Sequence, residues 1–86
     1  MTRRHNAVLQ KVLSGRSDAN VRFDDLLGLL LALGFRQRIK GDHHILWRQG
    51  LEEIINLQPR GALAKRYQVR QVRSILARYQ LGFGDE

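Results

Sequence analysis

The amino-acid sequence predicts an α+β fold, a three-stranded antiparallel sheet covered on one face by two helices, with an extra short helix at the N-terminus. Three observations predict it. Apolar residues recur at helical steps of three and four both before and after the middle of the chain. Between those stretches a run alternates apolar or neutral residues with basic ones at a period of two, the mark of a strand. Gly41-Asp42 and Gln49-Gly50 then punctuate the chain at hairpin spacing. Eighty-six residues make one domain, 1–86, with the N-terminal helix and its loop over 1–20 and the core over 21–81. A chain this short buries only on the order of 60% of its extended surface, so one sheet layer against one helix layer is all it can build.

The first helix is expected over Asn6 to Leu13, where Val8, Leu9, Val12 and Leu13 share a face before Ser14-Gly15 stops it; it reads as an accessory element. Ser17-Asp18-Ala19-Asn20 is a loop. Asp24 and Asp25 then place carboxylates at the positive end of a second helix, Asp24 to Leu33, which Gly34 ends. Its apolar set (Phe23, Leu26, Leu27, Leu30, Leu31, Leu33) wraps widely, so most of it is buried. Phe35 to Lys40 is a strand with Phe35, Gln37 and Ile39 on one face and Arg36, Arg38 and Lys40 on the other. His43 to Arg48 is its antiparallel partner, and Leu51 to Leu57 a third strand. Pro59 cannot donate to a ladder, so the sheet should stop at Gln58-Pro59-Arg60-Gly61. The last helix runs from Tyr67 to Tyr79, with Val69, Val72, Ile75, Leu76 and Tyr79 inward and Arg66, Arg70 and Arg73 on an adjacent stripe. Asp85-Glu86 is a short acidic tail.

The chain has no cysteine, which excludes disulfides, thiol catalysis and thiolate zinc sites. No secretory leader pattern and no long apolar run occurs, so a soluble, cytoplasmic protein without membrane contact is expected. Fifteen basic residues against eight acidic ones give a net charge of +7, and the excess is local: residues 34–78 hold ten bases and three acids. Twelve of the fifteen are arginines, whose planar fork suits phosphate oxygens. A polyanion is the expected partner, nucleic acid ahead of membrane, with a merely solubilising basic surface as the alternative.

Helix, antiparallel meander, helix is the α-β-β-β-α order of double-stranded-RNA-binding-like domains. Within it, Leu33-Gly34-Phe35, then Arg38-Ile39-Lys40-Gly41-Asp42-His43-His44-Ile45, then Tyr67-Gln68-Val69-Arg70-Gln71-Val72-Arg73 together resemble the HicA family of bacterial toxins, over about Phe23 to Tyr79. The resemblance implies a type II toxin that cleaves mRNA, is neutralised by a HicB-type antitoxin, and uses His43 as its catalytic histidine, with His44 in reserve. The family's Gly-Ser-His stands here as Gly41-Asp42-His43. Asp42 sets a negative charge beside a phosphate site, while a neighbouring carboxylate also favours the imidazolium.

Metal-independent RNA cleavage needs a base for a 2′-hydroxyl, an acid for the departing 5′-oxygen and positive charge for the phosphate between them. Histidine serves the first two near neutrality. Lys40, just before the Gly41-Asp42 turn, is the expected cationic partner of His43. Arg36, Arg38 and Arg48 are candidates for holding RNA, as are Lys65, Arg66, Arg70 and Arg73 at the start of the last helix, with Tyr67 as a base-stacking candidate. For Arg70 and Arg73 the competing reading is a solvated helix face, and for Tyr67 a core edge. His5 falls in a segment expected to fray. Strand side chains alternate, so His43 and His44 face opposite ways and one alone sees the substrate. Ile45-Leu46-Trp47 is apolar on both faces and leaves that choice open. Trp47, Phe35 and Phe23 are assigned to the core. Two adjacent strand histidines chelate one ion poorly, so no metal or other cofactor is expected. An endoribonuclease, a non-catalytic RNA-binding module and a small DNA-binding or protein-interaction domain remain as competing functions.

Overall fold

The computed structural model describes residues 2–84, which form α1 (Arg3–Ser14), α2 (Phe23–Ala32), β1 (Arg36–Lys40), β2 (His43–Trp47), β3 (Ile55–Leu57), β4 (Pro59–Arg60), β5 (Leu63–Ala64) and α3 (Arg66–Arg78), with a single 3-10 turn at Asp18–Asn20. The expected acidic tail, Asp85-Glu86, lies outside the described residues. The α+β class stands: β1, β2 and β3 form one antiparallel sheet in that order. Among the described residues no helix is long and apolar enough to cross a membrane.

Helix α1 is longer than expected and no accessory. Thr2 caps it by accepting from the His5 amide at 3.2 Å, and Val8, Leu9 and Val12 enter the common core beside residues of α2 and α3. His5 therefore sits in an ordered turn, half-buried, with its ring 6.3 Å from that of Phe83. Helix α2 ends in a Schellman motif. Gly34 at φ 95° takes the left-handed position, its amide reaches Leu31 O (3.1 Å), and the Phe35 amide reaches Leu30 O (3.0 Å). That motif turns the chain into β1 and drives Phe35 into the core, 4% exposed. Helix α3 ends the same way, with Gln80 at φ 52° and the Leu81 amide on Leu76 O at 2.9 Å.

Burial settles the facing of the sheet. Leu46, Ile55 and Leu57 are fully buried and share one cluster with Leu26 and Leu30 of α2 and Val69, Val72 and Leu76 of α3. Each leucine or isoleucine so buried contributes about 1.5–3 kcal/mol. The register Lys40↔His43, Arg38↔Ile45, Arg36↔Trp47 and Ile45↔Asn56 then puts those seven residues on the opposite, helix-free side. Trp47, assigned to the core from composition, thus lies on the open face, 38% exposed; Phe23 and Phe35 are buried as expected.

Two elements differ from expectation. The third strand covers only Ile55–Leu57, because the segment before it follows the end of α3 instead of β2. Glu53 accepts there from Tyr79 Oη at 2.6 Å and from Arg78 Nη1 at 3.0 Å. Pro59 does end the main sheet, yet it opens a second hairpin in which Pro59 pairs with Ala64 and Arg60 with Leu63. This hairpin is tied to the segment before α2 by Ala64 N to Val21 O (2.9 Å) and Phe23 N to Ala62 O (3.0 Å). It thereby sets the start of α3 beside the start of α2.

Candidate nucleic-acid interface around His43

Gly41-Asp42 joins β1 to β2 with positive φ at Gly41 alone, 62°, the pattern of a II′ hairpin turn. The turn presents His43 at the tip of the open face, while the inward packing of Leu46 sends His44 to the core side. There His44 is half-buried, its ring 5.0 Å from that of Phe23, with Nδ1 3.1 Å from Gln37 Oε1. The sequence left the facing of these two histidines open; the packing of Leu46 turns His43 outward and His44 inward.

The His43 side chain is 47% exposed. Its Nδ1 lies 3.1 Å from Asn56 Oδ1, so with Asn56 as acceptor the Nδ1 carries the proton and Nε2 is the free nitrogen. Nε2 is 3.8 Å from Asp42 Oδ1. Lys40 stands directly across the ladder. Asp42 is itself held: Gln58 Nε2 donates to Oδ2 at 2.9 Å, and this bond, with lesser help from His43 and Lys65, holds its carboxyl below the ordinary 3.8. Lys65 Nζ donates in turn to Gln58 Oε1 at 3.1 Å. The row Asp42–Gln58–Lys65 therefore ties the hairpin tip to the start of α3.

Between His43 and α3 lies a groove of about 260 Å³ lined by His43, Asn56, Gln58, Tyr67 and Gln71, among others. Its floor is fixed by Gln68, 1% exposed. The amide orientation that satisfies this side chain has its nitrogen donating to Gln58 O (3.2 Å) and its oxygen accepting from Gln58 N (3.0 Å), so α3 is clipped to the backbone leaving β3. Tyr67, 57% exposed, also borders a second, basic hollow of about 550 Å³ formed with Arg60, Lys65, Arg66 and Arg70.

Ion pairing sorts the bases. Among the described residues Arg4, Arg73 and Arg78 are paired with Asp25, Asp18 and Glu53; Arg36, Arg38, Lys40, Arg60, Arg66 and Arg70 have no acidic partner. The unpaired set flanks His43 on both sides, along the open face and around Tyr67. Two expected RNA contacts stand apart from the others. Arg73 is turned away from the stripe: its fork closes on Asp18 (2.7 and 3.0 Å) and Nη1 also reaches Val12 O (3.1 Å), because the loop after α1 brings a carboxylate against α3. Arg48 lies beyond the far end of β2 from His43, beside Gly34, lining a hollow with Ala32, Leu33 and Phe83. A strand of five residues separates them by about 17 Å.

Asn56, Gln58, Gln71 and Arg60 join the site without having been singled out. A signal existed for Asn56, the one polar residue between Ile55 and Leu57, hence outward by alternation. Gln71 sits one helical turn after Tyr67 and so shares its face. Among the described residues no three of His, Asp and Glu converge as metal ligands would. Set against protein-family models, curated proteins and solved structures, the chain matches none.

Proposed function

We propose that this chain is a HicA-like toxin of double-stranded-RNA-binding-like fold, a metal-independent endoribonuclease that cleaves mRNA in the cytoplasm and is neutralised by a HicB-type antitoxin. One observation carries the reading: an exposed imidazole with Nδ1 anchored on Asn56 and Nε2 without a hydrogen bond, 3.8 Å from Asp42, standing between two groups of unpaired cations. Free Nε2 is the base that takes the 2′-hydroxyl proton. The 2′-oxygen attacks phosphorus, the bond to the 5′-oxygen breaks, and that oxygen takes its proton from Lys40 or from the imidazolium. Lys40 and Arg38 stabilise the added negative charge on the phosphate. Across the groove, Lys65, Arg66, Arg70 and Tyr67 hold the flanking RNA. The antitoxin would cover the same cations with an acidic surface.

The test compares wild type with His43→Ala on one single-stranded RNA in excess chelator. General acid–base catalysis by one group supplies about 10²–10⁴-fold, so cleavage should fall by that factor while RNA affinity and the unfolding midpoint stay put. Cleavage unchanged in His43→Ala overturns the assignment. Binding without cleavage by wild type makes the chain a non-catalytic RNA-binding module.

A further inference from the structure

The open face of the sheet has a use that the His43 chemistry leaves unassigned. The strands of the main sheet contain no Asp or Glu, and the outward residues of β1 are Arg36, Arg38 and Lys40, with no acidic partner among the described residues. Opposite them on β2 stand Trp47, Ile45 and His43 in register. Trp47 is 38% exposed, an apolar ring beside an unpaired guanidinium on a surface that no helix covers. From His43 to Trp47 the strand advances about 14 Å. At the ~3.4 Å spacing of stacked bases that distance holds about four.

We propose that this face is a binding platform for single-stranded RNA, with a base stacked on Trp47, the phosphates of the intervening nucleotides on Arg36 and Arg38, and the strand running from there to His43. The inference rests on the RNA reading above. It commits to an unpaired strand because bases inside a duplex are already stacked on one another and offer no face to an aromatic ring. The aromatic favours bases here: the row of three cations is spaced by alternate strand residues, about 7 Å apart, and carries a flat ring at one end. That is the layout of sheet platforms that stack bases.

Trp47 is the sole tryptophan of the chain, so its fluorescence reports the site directly. Wild-type protein is titrated with a 2′-O-methyl decanucleotide, which offers no 2′-hydroxyl for cleavage, as a single strand and as a duplex, with binding followed in parallel by the anisotropy of a label on the oligonucleotide. The single strand should quench Trp47 and the duplex should not. Trp47→Ala should weaken single-strand binding about five- to 150-fold. Arg36→Ala, on an exposed side chain, should weaken it while leaving folding intact and lower the salt slope by about one. Anisotropy that reports binding with no quenching, or quenching by the duplex alone, overturns the platform and leaves the RNA reading standing. No binding of either form overturns both.

Discussion

Arg73→Ala and Arg70→Ala make opposite predictions for two arginines one helical turn apart. Arg73 donates twice to Asp18 and once to Val12 O, and the two partner side chains are only 26% and 15% exposed. A hydrogen bond to a charged group contributes about 1.5–3 kcal/mol. The Val12 carbonyl adds less, because it keeps the Gly15 amide at 3.3 Å when Arg73 is gone. Residual solvent access trims the pair, so Arg73→Ala should cost about 2–3 kcal/mol, or roughly 8–24 °C in Tm for a domain of this size. Arg70→Ala removes an exposed, unpaired side chain and should stay within about 0.5 kcal/mol of wild type, yet lower the salt slope of RNA binding by about one. Urea unfolding followed by circular dichroism gives the first pair of numbers, binding at several salt concentrations the second. Acid adds an independent check. Hydrogen bonding from Arg73 holds the Asp18 carboxyl below its ordinary 3.8. A carboxylate depressed on folding contributes stability that is complete above the unfolded pKa and lost as pH falls through the folded one. Wild type should therefore lose stability more steeply than Arg73→Ala as pH drops below about 4. An Arg73→Ala variant as stable as wild type, with a reduced salt slope, would show that Arg73 belongs to the RNA-binding stripe after all.

Gln80 occupies the left-handed position that ends α3, at φ 52°, where an L-residue is strained and glycine is not. Gln80→Gly should therefore stabilise the protein by about 0.5–1 kcal/mol, and an unfolding midpoint at or below that of wild type refutes this. In Tyr67→Phe the one remaining tyrosine is Tyr79, whose hydroxyl donates to Glu53 at 2.6 Å. That bond, joined by burial, raises its ionisation above the ordinary 10.0. Ultraviolet titration should place it there, and adding Glu53→Ala should bring it back down; no response to Glu53→Ala would detach Tyr79 from the loop before β3.

Helices α1, α2 and α3, the β1–β2 hairpin and the basic bias of β1 were legible in the sequence, because each rests on a local pattern. The leucines of α2 repeat at helical steps, Gly34 sits at the one place where its helix must stop, and Arg36, Arg38 and Lys40 alternate along a single strand. Everything that depends on a partner far along the chain was decided by tertiary structure. Ile45-Leu46-Trp47 reads as apolar on both faces, and only the packing of Leu46 against the helices turns His44 inward and leaves His43 and Trp47 in the open. Arg73 resembles its neighbours Arg66 and Arg70 until the loop after α1 brings Asp18 to it across 55 residues. Asn56 meets His43 from 13 residues away. Periodicity records which side of its own element a residue occupies; what waits on that side is set by how the elements pack.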